Sequence, residues 1–255
     1  MENFLILLSP SKSMSEINNP TCKDYSVPIF IDRAALLAGE LRKLSLSELE
    51  NLLGVSFNLA QQNWVRYQNW STPFSLSNSR QAILSFSGDV YDGLSVDDFN
   101  AEDFRHSQVH LRILSGLYGL LNPLDLIQPY RLEMGSSFKV YGTESLYHFW
   151  SKAITEHLNG LLNENGIIVN LASNEYFRSV DIKTLKPHIV NIEFRENRPE
   201  GLKVIPILSK KARGLMSRYA IKSKITDAEN LKFFDYENYR FSEPLSTAAK
   251  WVFIR

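Results

Sequence analysis

The chain has 255 residues, 28 basic and 28 acidic, with no net charge, so bulk charge marks it for neither nucleic acid nor membrane. Its single cysteine, Cys22, excludes an intrachain disulfide and a thiolate cluster for zinc or iron–sulfur, and fits a reducing cytoplasm. No apolar run approaches the ~20 residues a membrane span needs.

The opening MENFLILLSPSK has an acidic residue before a short apolar run and no cleavage-site pattern, which predicts a first strand and not a signal peptide. Phe4–Leu8 suits a central strand covered on both faces. It breaks at Ser9-Pro10-Ser11-Lys12, where two hydroxyls and an ammonium past a strand end can bind a phosphate or carboxylate. The plainer alternative is a turn with a solvated lysine, since no glycine-rich phosphate loop is present. Met14–Val27, with Pro20 and Cys22, reads as an extended loop.

Ile29–Asn69 reads as helical. Ala34, Leu37, Leu41 and Leu44 fall at helical spacing, and Ser45 with Glu48 three residues later forms a capping box ahead of Leu49, Leu52 and Leu53. Gly54-Val55-Ser56 then separates this helix from another carrying Phe57, Ala60, Trp64 and Tyr67. Two short helices joined by a glycine-containing hairpin match a helix-hairpin-helix unit, whose second helix offers amide donors and partial positive charge to a DNA phosphate. The alternative is a helical hairpin that only packs on a core, and Ser56 replaces the usual second hairpin glycine.

Ala82–Phe86 is a second strand candidate, followed by Ser87-Gly88-Asp89. From Asp89 to Asp103 there are many carboxylates and no lysine or arginine. Asp103, His106 and His110 share one helical face, a conceivable metal or iron site; no other segment clearly supplies a further ligand, so neither metal nor cofactor is expected. Leu111–Gly135 opens with the apolar run Ile113-Leu114, a buried strand ending at Ser115-Gly116. Pro123 and Pro129 exclude one long helix there. Arg131, in apolar company with Glu133, is either a structural ion-pair partner or a ligand contact.

Leu146–Leu162 has the spacing of an amphipathic helix, and Ile167-Ile168-Val169 that of another buried strand, ending in polar residues up to Tyr176. Strands that each end in small and polar residues predict loops gathered at one sheet edge, where open α/β sheets bind ligands. The resulting cleft would contain Ser9, Ser11, Lys12, Asp89, Tyr130, Arg131, Asn174 and Glu175. Ile189–Arg195 and Lys203–Leu208 read as hairpin strands about Asn197–Gly201. Ser209–Ile225 follows as a basic amphipathic helix carrying Lys210, Lys211, Arg213, Arg218 and Lys222, and no acidic residue lies between Lys203 and Thr226. That positive face is either a footprint for a polyanion or the partner of the acidic stretch Asp89–Asp103. Trp251–Ile254 reads as a last strand. With no repeat, low-complexity segment or linker, one α/β domain over 1–255 is expected: a mixed sheet flanked by helices with a helix-hairpin-helix unit.

Together, LSPSKSM at Leu8–Met14, SFSGDVYDGL at Ser85–Leu94, LRILSGLYGLLNPLDLIQPYRLEMG at Leu111–Gly135, VNLASNEYF at Val169–Phe177 and KKARGLMSRY at Lys210–Tyr219 make the chain resemble the YaaA peroxide-stress family. The segments occur in the family's order and span nearly the whole chain; Ser13 stands where the family usually has threonine, and keeps a hydroxyl. The resemblance implies a cytoplasmic protein that helps cells survive hydrogen peroxide by keeping free intracellular iron low. It also implies a single α/β domain with a helix-hairpin-helix and a positive cleft that binds DNA; hairpin amides and the basic helix would hold the phosphates of double-stranded DNA mostly regardless of sequence. Carried over by position, Lys12, Arg131, Lys210, Lys211, Arg213 and Arg218 match the family's basic residues, and Gly54-Val55-Ser56 its hairpin. The alternative is an enzyme acting on a nucleotide or nucleic acid, with Lys12 and Arg131 binding anionic oxygens and Asp89 or Glu175 as general acid or base.

Overall fold

Five consecutive apolar residues, Phe4–Leu8, are fully buried in the strand on which the fold is built, β1 (Glu2–Leu8). The computed structural model describes residues 2–14, 22–140 and 142–255. The remaining strands in chain order are β2 (Ser13–Met14), β3 (Arg80–Gln81), β4 (Phe86–Ser87), β5 (Leu111–Ser115), β6 (Gly119–Leu121), β7 (Leu126–Ile127), β8 (Leu162–Asn170), β9 (His188–Arg198), β10 (Gly201–Lys203), β11 (Arg240–Phe241) and β12 (Lys250–Ile254). Eight of them make one mixed sheet in the order β11-β12-β9-β8-β1-β5-β6, with β10 paired to β9. β1 lies between β5 and β8 and is parallel to both, with Ile6 opposite Leu111 on one side and Val169 on the other. Strands covered on both faces must be apolar throughout, which is why Phe4–Leu8 and Ile113-Leu114 lack polar alternation. The antiparallel pairings β5–β6, β9–β10 and β11–β12 lie around this parallel centre.

The helices are α1 (Ile31–Lys43), α2 (Leu46–Leu53), α3 (Phe57–Asn69), α4 (Ala82–Ser85), α5 (Asp89–Leu94), α6 (Ala101–His110), α7 (Leu146–Leu161), α8 (Asn174–Phe177) and α9 (Pro206–Lys222). The expected capping box is present: the Ser45 amide donates to Glu48 Oε2 at 2.8 Å, and the Glu48 amide to Ser45 Oγ at 3.3 Å. α2 stops at Gly54, whose left-handed φ of 58° suits glycine, and Ser56 opens α3. α2 and α3 therefore form a helical hairpin about Gly54-Val55-Ser56. α6 packs on β1 and β5, α7 on β6 and β8, and α9 on β9. None of the described helices is long and apolar enough to cross a membrane.

Two elements differ from the sequence reading. Ala82–Phe86 is not a strand of the main sheet: Ala82–Ser85 is the single turn α4 between β3 and β4. The Ala82 and Ile83 amides donate to the carbonyls of Asp125 and Pro123, so a loop takes the donors that a ladder would otherwise use. β10 ends at Lys203 and α9 begins earlier than expected, because Pro206 occupies its first turn, where a missing amide costs nothing. The loop expected over Met14–Val27 lies partly outside the described residues, at 15–21; beyond it, the Ser26 hydroxyl donates to Asp125 at 2.6 Å.

Candidate functional site

The carboxyl ends of β1 and β8 are adjacent, and hydrogen bonds join the loops that leave them. The Ser173 amide donates to Ser9 Oγ at 2.8 Å, and the Ser9 hydroxyl to Ser173 Oγ at 3.3 Å. Tyr91 Oη donates to the Ser9 carbonyl at 3.1 Å. β2 pairs antiparallel with β4, Ser13 opposite Ser87, which brings Ser11-Lys12 against Gly88-Asp89. A third wall comes from α9, which crosses α5 backbone to backbone at two glycines. A Cβ on Gly214 would lie 1.8 Å from the Val90 carbonyl oxygen, and one on Gly93 would lie 2.2 Å from the Lys211 carbonyl oxygen. This crossing sets Lys210 Nζ 3.9 Å from Asp89 Oδ2.

The result is a cavity of about 410 Å³. Its lining includes Ser9, Ser11, Lys12, Asp89, Tyr91, Ser173, Glu175, Tyr176, Lys210 and Arg213. Glu175 accepts the Gly135 amide at 3.1 Å and also lines a second cavity, about 290 Å³, with Leu52 and Leu53 of α2, Glu133 and Ser136. The hairpin therefore neighbours the strand-end cleft, through the last residues of α2.

The electrostatics are mixed. Lys12 meets Glu133 at 2.8 Å, and Glu133 also takes Arg131 at 3.2 Å. Arg131 is thus an ion-pair partner at the edge of the cleft. Arg213 Nε is buried and has no hydrogen-bond partner among the described residues, and burial lowers the guanidinium's pKa. Burial raises the Tyr91 and Tyr176 phenols, so both remain protonated at neutral pH.

Of the expected cleft residues, Ser9, Ser11, Lys12, Asp89 and Glu175 line the cavity. Asn174 is the first residue of α8, beside Glu175 but not in the lining, and its carbonyl accepts the Arg178 amide. Tyr130 is buried, hydrogen-bonded through its hydroxyl to Ser115 Oγ at 2.6 Å. Of the expected DNA-contacting cations, Lys210 and Arg213 face the cavity with Lys12, but Lys211 and Arg218 are engaged elsewhere. Lys211 meets Glu237 at 2.5 Å, and Arg218 donates two hydrogen bonds to Asp98, at 2.6 and 2.8 Å. The acidic stretch is thus the partner of α9's far half. Asp103, considered as a metal ligand with His106 and His110, takes Lys222 at 3.0 Å and also Lys224. Among the described residues no group of three or more histidine, cysteine or acidic side chains could hold a metal ion. Sequence reasoning missed Tyr91, Ser173 and Tyr176. Their one signal was position, since each lies within a few residues of a polar strand end.

A family profile described as peroxide stress protein YaaA matches residues 4–245. The chain belongs to the peroxide stress protein YaaA family. It is 47% identical over 252 residues to a UPF0246 protein of Acaryochloris marina, covering 99% of this chain and 100% of that one. It is 47% identical over 254 residues to a UPF0246 protein of Ralstonia nicotianae, with 99% of each covered, and 44% identical to a UPF0246 protein of Colwellia psychrerythraea at the same coverage. Of the six basic positions matched to the YaaA pattern, Lys12, Arg131, Lys210 and Arg213 gather at the cleft, and Lys211 and Arg218 do not.

Proposed function

We propose that this member of the peroxide stress protein YaaA family protects DNA in the peroxide stress response, binding double-stranded DNA largely regardless of sequence, and helps limit free intracellular iron. The observation that carries the DNA reading is the gathering of Lys12, Arg131, Lys210 and Arg213 beside the α2–α3 hairpin. The iron effect rests on family membership, and no described side chain supplies its mechanism.

Carboxylates pair with three of these cations, and the strength of the pairs decides whether they block phosphate. Exposed ion pairs are worth only about 0–1 kcal/mol. The Lys12 side chain is 59% exposed and that of Lys210 58%, so a phosphate that releases its counterions can displace Glu133 or Asp89 at small cost. Arg218 is different. Its two-point grip on Asp98, with carbonyls of Leu94 and Ser95 beside it, is a structural clamp.

Band shifts with random-sequence duplex at rising salt test the reading. Binding should weaken linearly on log–log axes, and Lys12→Ala with Lys210→Ala should reduce the slope by about 2, one for each phosphate left without its lysine. Absence of a shifted band at the lowest salt removes the DNA reading. In cells, deletion should raise the loosely bound iron seen by electron paramagnetic resonance. The enzymatic alternative draws on Asp89 and Glu175, carboxylates in the same cavity as the cations. Nucleotides and DNA left unchanged by mass spectrometry after incubation across divalent metals would dismiss it.

A further inference from the structure

The strand-end cavity is small for the partner that the wider cleft is proposed to hold. At about 410 Å³ it has the volume of a small-ligand site and admits one nucleotide, not a duplex. Its lining is also unlike a plain polyanion track. Lys12, Lys210 and Arg213 supply three positive charges, but Asp89 and Glu175 supply two negative ones within the same walls. A bare anion would meet carboxylate repulsion there. A ligand that carries an anionic group at one end and N–H or O–H donors at the other would satisfy both sets.

We propose that this cavity is a binding pocket for a nucleoside 5′-monophosphate, its phosphate on Lys210, Arg213 and Ser11 and its sugar or base donors on Asp89 or Glu175. Three features support the assignment. Arg213 lines the cavity with no carboxylate partner among the described residues, which leaves its guanidinium to a phosphate oxygen. Lys210 is held only at 3.9 Å by Asp89, so it can turn to a phosphate without breaking a tight pair. Tyr91 and Tyr176, both largely buried, add aromatic surface to the lining, which suits a sugar or base. The pocket is also preformed. Gly88 sits at φ 101°, where an added Cβ would lie 3.4 Å from Ser11 Oγ, and the Gly93–Gly214 crossing fixes Asp89 relative to Lys210 and Arg213 through rigid backbone.

The inference rests on reading this cleft as a phosphate-binding surface, and its test separates its own failure from that of the DNA proposal. The nucleotide can be a free monophosphate or the phosphorylated 5′ end of a strand. Calorimetry on the full chain would use the common ribo- and deoxyribonucleoside 5′-monophosphates, with inorganic phosphate and the matching nucleosides as comparators. Short single strands with and without a 5′-phosphate form the second arm. At least one monophosphate should bind, and both its nucleoside and inorganic phosphate should bind about tenfold more weakly or worse. If the phosphorylated strand alone retains this tenfold preference over its 5′-hydroxyl counterpart, the ligand is a strand end. Lys210→Gln should weaken binding about tenfold with an unchanged circular dichroism spectrum. Asp89→Asn should relax the preference for a nucleotide over inorganic phosphate. Arg213 is largely buried, so the exposed Lys210 carries the test if Arg213→Gln fails to fold. No heat from any monophosphate or phosphorylated strand overturns the pocket, even if duplex still binds at the hairpin. Equal affinity for inorganic phosphate overturns it too. Nucleotide binding without duplex binding removes only the DNA reading.

Discussion

The two halves of α9 carry the same kind of charge and use it in opposite ways. On the first half, Lys210 sits 3.9 Å from Asp89, and Arg213 lines the cavity with no carboxylate partner among the described residues. On the second half, Arg218 is clamped to Asp98 and to backbone carbonyls, while Lys222 reaches Asp103 with Lys224 beside it. Phe99 adds its ring face to the second set, 5.8 Å from the Arg218 guanidinium and 5.6 Å from the Lys222 ammonium. The division follows from where α5 crosses. After the crossing at Gly93 and Gly214 the chain leaves α5 through Ser95–Asp103, and that acidic segment docks on the later turns of α9. Positive charge along a helix therefore says little about ligands until its carboxylate partners are located.

Removing the crossing should break both halves at once, and it is the largest effect expected. Gly214→Ala puts a Cβ 1.8 Å from the Val90 carbonyl oxygen, a backbone atom that cannot swing aside. We expect a loss of about 3 kcal/mol or more, read in calorimetry as a melting point lower by roughly 6–12 °C. Gly39→Ala in α1 is the control: beyond the backbone of its own helix and its chain neighbours, no atom lies within 4 Å of its added Cβ. There the better helix former should gain about 0.5–1 kcal/mol. A Gly214→Ala protein that melts with wild type would mean α5 and α9 do not touch in this way.

The next effect belongs to the second half alone. Burial by itself would raise the Asp103 carboxyl, but hydrogen bonds from Lys224, the Asn100 amide and Lys222 outweigh it and hold the pKa at about 2, below its ordinary 3.8. A carboxyl depressed on folding stabilises fully above its unfolded pKa and loses that contribution as pH falls toward the folded value. Wild type should therefore exceed Asp103→Asn by about 2 kcal/mol near neutrality. Chemical denaturation should show this gap steady down to about pH 5 and closing between about pH 4 and pH 2. A gap that stays constant to pH 2 would mean that Asp103 acts through shape or capping and not through charge.

These contrasts also mark how far the residues alone carry the structure. β1, β5, β8 and β12 were each legible as short apolar runs with polar ends, because strands buried on both faces have no other pattern, and β9 was legible as a hairpin strand, its buried residues alternating with more exposed ones. Their order was not, since β1 pairs with partners more than a hundred residues away. Ser9, Ser11, Lys12 and Glu175 were legible because strand ends in such sheets converge on one edge, whereas Asp89 reaches the same cavity through the separate β2–β4 pairing, since Ala82–Phe86 is not a strand of the main sheet. Tyr91 and Tyr176 were hidden by their aromatic bulk, which reads as core. Lys211 and Arg218 were expected at the cleft because nothing local separates them from Lys210 and Arg213. Their carboxylate partners, Glu237 and Asp98, lie 26 and 120 positions away.

The finest test of the two halves is the smallest in energy. Arg218→Gln removes a bidentate pair whose arginine is mostly buried and whose aspartate is half-exposed, so stability should fall by about 1 kcal/mol. Lys210→Gln removes an approach of 3.9 Å between two exposed side chains, and stability should move by less than about 0.5 kcal/mol. Phosphate binding should show the reverse ranking. Lys210→Gln should reduce the salt slope for duplex by about 1, and Arg218→Gln, at a position already occupied by Asp98, should leave it nearly unchanged. Equal slopes would mean that the first half is no more available than the second, and the cleft would then lose its claim on Lys210. Equal stabilities would mean that the Asp98 clamp is a weak surface pair, and Arg218 would return to the set of cations a phosphate can reach.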